Sequence, residues 1–217
     1  MTAAAPELSP TTGEPVGVVA RRNRLGVWLC IVSDAAGTVS LLIAYLYLWS
    51  LNVNDSWAPH KDHWASDGLF WIIVVAMVVA CALLWWGVAG IGKGHRGRLI
   101  GAASLSSLIL LITLVVQIYQ LSSFPFDVSE SAYTSGTFWL ALANAAHLSL
   151  GSLLVLAVAL RTRAGRIDPG NPSQARLVAM WITWLCVAAT LGAIVTTTMK
   201  ESPNHHPPAF QSFTNAS

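Results

Sequence analysis

Five long apolar runs constrain this chain more than any other feature. They cover residues 25–51, 69–91, 99–121, 133–160 and 177–199. Each reaches the ~20 residues that a helix needs to cross about 30 Å of hydrocarbon. Only 10% of the residues are charged and 54% are hydrophobic, whereas soluble domains carry roughly 25% charged residues. The sequence therefore predicts an all-α membrane protein with five transmembrane helices.

Basic residues are concentrated on one side of these predicted helices. Ten of the twelve Lys and Arg residues precede the first helix or lie in the second or fourth connection: Arg21, Arg22, Arg24, Lys93, Arg96, Arg98, Arg161, Arg163, Arg166 and Arg176. Cytoplasmic loops carry the basic excess, so an N-in, C-out bundle is predicted. Because topology explains the positive charge, nucleic-acid binding is not predicted.

The segments outside the runs predict one transmembrane domain, 23–200, between two tails. Residues 1–22 contain Pro, Thr and Glu and lack a basic start followed by an apolar stretch. They predict a disordered cytoplasmic tail rather than a signal peptide, and residues 201–217 predict an external tail. The loops are too short to form another domain.

Asp34 is the only acidic or basic residue inside the five runs. It follows Arg24 by ten residues, or ~15 Å along a helix, so it lies within the hydrocarbon. A carboxyl group there is costly unless it is paired, hydrogen-bonded or protonated, which makes it a functional candidate. The alternative is a neutral structural hydrogen-bonder that faces a partner subunit, and the sequence leaves both open.

His147 is the only histidine inside a run. Ala143, His147 and Gly151 recur at i, i+4 and i+8, a small-residue stripe that favours close helix packing around a polar centre. Packing and hydrogen bonding are therefore favoured over a ligand role. The predicted depths of His147 and Asp34 differ by ~6 Å at 1.5 Å per residue, so a contact between them is feasible.

The remaining histidines and the cysteines predict no metal site. The external histidines lack further ligands beside them, and the cysteines lie within the runs as packing residues, without a CxxC motif: His60, His63, His205, His206, Cys30, Cys81 and Cys186. No arrangement that supports hydrolysis is present. The role of the external histidines is left open.

Four motifs resemble subunit III of heme-copper terminal oxidases. The first helix contains Leu-Gly-Val-Trp28, then Ser33-Asp34 and Ala44-Tyr45, which is similar to the family's Leu-Gly-x-Trp, Ser-Glu or Ser-Asp, and Ala-Tyr. The other three follow in the family's order: Gln117-Ile-Tyr119-Gln120, Ser131-Ala-Tyr133-x-Ser135-x-x-Phe138 and Asn144-Ala-Ala-His147-Leu-x-x-Gly151. The match covers roughly residues 24–166, and five helices fit the shorter bacterial form.

Departures from the family pattern occur in the second and fourth motifs and in the fifth helix. Asn144 stands where the family has a His, and Gln120 stands where it has a Glu. The fifth helix retains only Trp181 from the family's Tyr-Trp-His-Phe-Val-Asp. These differences indicate a divergent branch, or a homologue that serves another respiratory enzyme such as a nitric oxide reductase.

The resemblance implies a non-redox accessory subunit in a bacterial plasma membrane. Subunits I and II would be its partners and would carry heme and copper, while this chain would bind phospholipid and support proton uptake. Asp34 and His147 would be the intramembrane polar residues of that role. The other motif residues would be structural: Trp28, Ser33, Tyr45, Gln117, Tyr119, Tyr133 and Gly151.

The sequence leaves two questions open, the electron donor and the type of function. The donor of such an oxidase is either cytochrome c or quinol, and this chain does not distinguish them because the donor binds on other subunits. An assembly or scaffold protein for a respiratory complex is an alternative function. A small transporter or channel is disfavoured by the single intramembrane charge and by the absence of Pro from every run, since transporter sites often use broken helices.

Overall fold

The computed structural model describes residues 13–59 and 63–204. It contains five α-helices, each long and apolar enough to span a membrane, and no β-strand occurs in these residues. The predicted all-helical architecture is confirmed. The helices are α1 (Val16–Leu51), α2 (Asp67–Ile91), α3 (Arg96–Ser122), α4 (Ala132–Arg163) and α5 (Ser173–Thr198).

Helix α1 begins earlier than the sequence analysis predicted. Residues 16–22, assigned to a disordered tail, form the first turns of α1. Pro15 precedes the helix, where a missing N–H costs nothing, and its carbonyl accepts hydrogen bonds from the Val18 and Val19 amides at 2.8 and 3.2 Å. The predicted tail boundary at residue 22 is therefore corrected to the start of α1, and residues 1–12 lie outside the described part.

Successive helices alternate in direction because short connections join them. Helices α2 to α5 form a four-helix bundle, in which α2 and α4 each contact both α3 and α5, while α1 packs on α4 and α5. The ten basic residues named above lie at the end where α1, α3 and α5 begin. We call this the basic end, and the other end of the bundle the opposite end.

The core of the four-helix bundle is apolar and closely packed. Met77, Leu84, Leu110 and Leu148 are at most 1% exposed. At Gly87, an added Cβ atom would lie 2.7 Å from Ala102 Cβ, so α2 and α3 approach closely there. Small residues at helix crossings allow such packing in membranes.

Helix α1 is peripheral. Only 6% of its most apolar 18-residue window is buried, against 33–39% for the other four helices. It therefore contributes one side to the interior, and the other described residues leave the rest of its surface uncovered.

Hydrogen bonds hold the two ends of the bundle. At the basic end, Arg96 Nε donates to Thr162 O at 2.8 Å, which satisfies a carbonyl in the last turn of α4. At the opposite end, Trp49 and Trp57 donate to the carbonyl groups of Glu201 and Lys200, both at 2.7 Å. The start of the predicted external tail, up to Asn204, is thus fastened to the end of α1.

Candidate intramembrane polar site

Asp34 joins three helices at the middle of the bundle. His147 Nε2 on α4 lies 3.0 Å from Asp34 Oδ1, and Trp184 Nε1 on α5 donates to Asp34 Oδ2 at 2.6 Å. The contact between Asp34 and His147 that the helix depths made feasible is therefore present. The side chains of Asp34 and His147 are 27% and 16% exposed.

This arrangement meets the physical requirement for an acid in hydrocarbon. Each carboxyl oxygen of Asp34 has a nitrogen partner, so the group is neither isolated nor unpaired. The main helix contacts of α1 are with α4 and α5, and these two helices supply both partners. The cluster can hold α1 in place and can store or exchange a proton, the two roles typical of polar groups inside membranes.

A chain of three side-chain amides lies next to this cluster. Asn144 Nδ2 donates to Gln117 Oε1 at 2.7 Å, and Gln117 Nε2 donates to Gln120 Oε1 at 2.8 Å. Both glutamines are 1% exposed. The two terminal atoms of the chain, Asn144 Oδ1 and Gln120 Nε2, are buried without a partner.

A small cavity lies where His147 and the amide chain meet. Its volume is about 40 Å³, and all five helices contribute to its wall. The polar part of the wall comes from Thr38, Gln117, Asn144 and His147, and small residues such as Gly192 form much of the rest.

An aromatic cluster closes the opposite end above the amide chain. The ring centroids of Tyr45 and Trp57 are 5.0 Å apart, and those of Trp57 and Tyr133 are 5.9 Å apart. Gly136 allows α1 to approach α4 here, because an added Cβ atom would lie 2.7 Å from Tyr45 Cδ2. The hydroxyl groups of Tyr45 and Tyr133 are buried, and both lie close to the hydroxyl of Thr137.

The structure separates the predicted motif residues into two groups. Gln117, Tyr45, Tyr133 and Gly151 are buried inside the bundle. Trp28, Ser33 and Tyr119 lie on its outer surface, with Trp28 50% and Tyr119 63% exposed. The motifs therefore supply both interior contacts and an uncovered outer face.

The stripe predicted on α4 faces two different neighbours. His147 reaches Asp34 on α1, whereas Gly151 lies against α5, where an added Cβ atom would be 3.1 Å from Ile182 Cδ1. Close packing at Gly151 and hydrogen bonding at His147 thus serve separate helix contacts.

The bond between Trp184 and Asp34 was not predicted from the sequence, although a signal was present. Helices α1 and α5 both run from the basic end, and Trp184 follows Arg176 by eight residues, or ~12 Å along the helix. That depth is within ~3 Å of the ~15 Å expected for Asp34. Comparing depths across parallel helices would have paired them.

A second missed feature is a small-residue stripe on the outer face of α1. Its members are exposed and alternate at spacings of four and three, a repeat of 3.5 residues that is typical of paired helices. Cβ atoms added at Gly26 or Gly37 would meet nothing within 4 Å. The α1 stripe consists of Gly26, Cys30, Ser33, Gly37, Ser40 and Ala44.

The three cysteines form no disulfide bond. Cys81 and Cys186 are buried and Cys30 is exposed, all as free thiols. Across residues 13–59 and 63–204, no group of three His, Cys, Asp or Glu side chains is positioned to hold a metal ion. His60, His205 and His206 lie outside the described residues.

Comparison with protein-family models gives no match, and a search of curated proteins gives none either. The resemblance to oxidase subunit III therefore stays a prediction that rests on the motifs.

Proposed function

We propose that this chain is a non-redox accessory subunit, similar to subunit III, of a heme-copper terminal oxidase in a bacterial plasma membrane. Catalytic subunit I and subunit II would be its partners and would carry the heme and copper. The chain would support the stability and proton uptake of the catalytic subunit, with bound phospholipid between its helices.

The contact between Asp34 and His147 carries this proposal. The resemblance to subunit III highlights an acidic residue in the first helix and a histidine in the fourth. In this chain those two positions meet, with His147 Nε2 3.0 Å from Asp34 Oδ1. The two positions that the resemblance highlights are thus the two that pair in this chain.

The α1 stripe supports a partner inside the membrane. A helix that faces lipid alone has no need of small side chains, whereas closely packed helices do. Helix α1 also has only 6% of its apolar window buried. A second transmembrane protein that packs on α1 would cover this face.

Phospholipid binding is supported by a basic cleft at the start of α5. The cleft has a volume of about 410 Å³ and is lined by Arg21, Arg24 and Arg176 together with the apolar Leu177 and Met180. The N-terminus of α5 borders the same cleft, and helix N-termini favour phosphate groups. A phosphate headgroup could lie among the arginines while its acyl chains follow the apolar residues.

The distribution of charge supports an orientation with the basic end in the cytoplasm. Ten of the twelve Lys and Arg residues belong to that end, and cytoplasmic loops carry the basic excess. The N-terminus would then be cytoplasmic and the C-terminus external.

Co-purification tests the proposed function. The tagged chain is expected to bring down heme-containing oxidase subunits in stoichiometric amount. Recovery with a nitric oxide reductase would reassign its partner, and absence from every mature heme enzyme would favour an assembly role.

A variant of Asp34 tests its proposed contribution within that complex. Asp34→Asn is expected to leave assembly intact, because an amide can still hydrogen-bond, and to accelerate loss of oxidase activity during turnover. Activity is followed over many turnovers of the purified complex. An unchanged rate of decay would remove Asp34 from the functional proposal.

A further inference from the structure

Buried polar groups are concentrated between the Asp34–His147 contact and the opposite end. Asn144 Oδ1 and Gln120 Nε2 have no hydrogen-bond partner there. Such atoms are rare in folded proteins, and ordered water is a common reason for them. The hydroxyl groups of Thr137, Tyr45 and Tyr133 are buried beyond them, with Thr137 close to both tyrosines.

The cavity beside His147 has the size and polarity that water requires. Its volume is about 40 Å³, above the ~10–15 Å³ that a cavity needs to hold a water molecule. Thr38, Gln117, Asn144 and His147 supply polar groups to its wall. Asn144 Oδ1, which has no protein partner, can accept a hydrogen bond from water there.

The polar groups continue along one face of α4 to the opposite end. Tyr133, Thr137, Asn144 and His147 fall at i, i+4, i+11 and i+14, which places them on the same side of the helix. From His147 to Tyr133 the helix rises ~21 Å at 1.5 Å per residue. The row therefore extends from mid-depth to the aromatic cluster.

Other buried hydroxyl groups, outside this row, are satisfied by backbone carbonyl groups. Ser106 and Ser107 donate to carbonyl groups of neighbouring helices at 2.7 and 3.0 Å. Thr113 donates to the carbonyl of Ile109 in its own helix at 2.7 Å. These groups need no water, which distinguishes them from Asn144 Oδ1 and Gln120 Nε2.

We propose that ordered water in the cavity connects the Asp34–His147 pair to the opposite end, so that the pair exchanges protons with that surface. The amides would hold the water molecules, and water and hydroxyl groups would carry the proton. Each proton accepted at one end of the row is matched by one released at the other, and only O–H and N–H bonds change. The polar track consists of Asn144, Gln117, Gln120, Thr137, Tyr45 and Tyr133.

This inference goes beyond the oxidase proposal and does not depend on it. The track lies within one chain, so it can be tested in isolated protein in lipid nanodiscs. The Trp184 indole N–H is a built-in reporter because it donates to Asp34 Oδ2 at 2.6 Å. The buried Trp181 Nε1, on the same helix and without a partner, serves as the internal reference.

The first measurement detects the water directly. Protein labelled with ¹⁵N at Asn, Gln and Trp is examined by NMR for magnetisation transfer from water to the side-chain amides of Asn144 and Gln117. We expect transfer at both amides, and its loss in Asn144→Leu. Resolved amide signals without transfer in the unsubstituted protein would overturn the proposal.

The second measurement compares two isosteric variants by hydrogen–deuterium exchange of the Trp184 indole. Thr137→Val removes from the track the hydroxyl that is close to both Tyr45 and Tyr133, whereas Thr113→Val removes a hydroxyl outside the track that bonds within its own helix. Thr137→Val removes one bridging hydrogen bond from the path along which the proton moves. A barrier raised by about one hydrogen bond slows a rate by about tenfold, so we expect the Trp184 indole to exchange about tenfold more slowly in this variant. Thr113→Val is expected to leave it unchanged.

Exchange at Trp181 separates a blocked track from a general change in the fold. It should remain constant in both variants. Equal Trp184 exchange in Thr137→Val and the unsubstituted protein would overturn the track. Slowing at both tryptophans would also overturn it, since the effect would then not be confined to the track.

Discussion

Trp184 Nε1 donates to Asp34 Oδ2 at 2.6 Å, using the carboxyl oxygen that His147 leaves free. The fifth helix, in which the resemblance to subunit III is weakest, therefore contributes one of the two partners of the intramembrane acid. A residue outside the recognised motifs thus completes the site. The same bond fixes α1 against α5, which makes its strength measurable as stability.

We expect Trp184→Phe to destabilise the protein by about 1 kcal/mol, since interhelical hydrogen bonds in membranes are worth roughly 0.6 kcal/mol on average and up to about 1.7. The loss should largely disappear in an Asp34→Ala background, because the bond is then already absent. The free energy of unfolding is measured by titration with SDS in mixed micelles and followed by circular dichroism.

Trp181→Phe is the matched control, one turn earlier on α5. Its indole nitrogen is buried and has no hydrogen-bond partner, so removing it should cost nothing in hydrogen bonding. Equal losses in the two tryptophan variants would show that ring packing, rather than the bond to Asp34, explains the effect.

The sequence was sufficient for the helices and for the depth of Asp34 and His147, for a simple physical reason. Hydrophobic length and a fixed rise per residue place a side chain along the membrane normal. They do not fix the rotation of a helix about its axis. Which neighbour His147 and Gly151 each face depends on how α4 packs between α1 and α5, and that is decided by the fit of the whole bundle.

The amide chain and its cavity could not be predicted from the sequence, because the rotation of each helix about its axis was unknown. Asn144 and Gln117 were visible as polar residues in apolar helices, but their bond joins α4 to α3 and requires the register of both. The start of α1 was not predicted because residues 16–20 directly follow Pro15 and form an apolar segment too short to be recognised as part of a membrane-spanning helix.

Gly87 and Gly101 should respond in opposite directions to alanine. At Gly87 the new methyl group would lie 2.7 Å from Ala102 Cβ and 3.3 Å from Leu99 Cα, so Gly87→Ala should cost about 1–3 kcal/mol through overpacking. Gly101 has nothing within 4 Å of its Cβ position, and Gly101→Ala should stabilise helix α3 by up to ~1 kcal/mol.

The same unfolding titration checks this pair, with Gly151→Ala as an intermediate case. Its methyl group would meet the ends of Ile182 and Leu185 at 3.1 and 3.2 Å, and flexible side chains can move aside. We expect a smaller loss than at Gly87. An unchanged free energy of unfolding in Gly87→Ala would show that α2 and α3 do not approach each other as closely as described here.

The basic cleft should select anionic phospholipid. Arg24→Gln/Arg176→Gln removes two guanidinium groups from its lining, and each contributes about 1 kcal/mol to attraction of anionic lipid. We expect about tenfold or greater loss of bound phosphatidylglycerol, measured by native mass spectrometry of protein released from nanodiscs. Arg163→Gln/Arg166→Gln makes the same change in charge at the basic end outside the cleft. Equal loss in both double variants would indicate nonspecific attraction.

The α1 stripe predicts where a partner membrane protein binds. Gly37 is exposed at the centre of the stripe, and a Cβ atom added there meets no atom of the described residues within 4 Å. Gly37→Leu should therefore leave the isolated protein stable. It should nevertheless weaken association, because a bulky side chain prevents the close approach of a second helix.

Co-purification of heme-containing subunits in increasing detergent measures this association. Gly101→Leu is the matched control, since it introduces the same bulk at an exposed glycine on α3. We expect heme recovery to fall about tenfold or more with Gly37→Leu, because overpacking at a helix contact costs roughly 1–3 kcal/mol. Recovery should be unchanged with Gly101→Leu. Full recovery with both variants would mean that α1 faces lipid and that the partner binds elsewhere on the bundle.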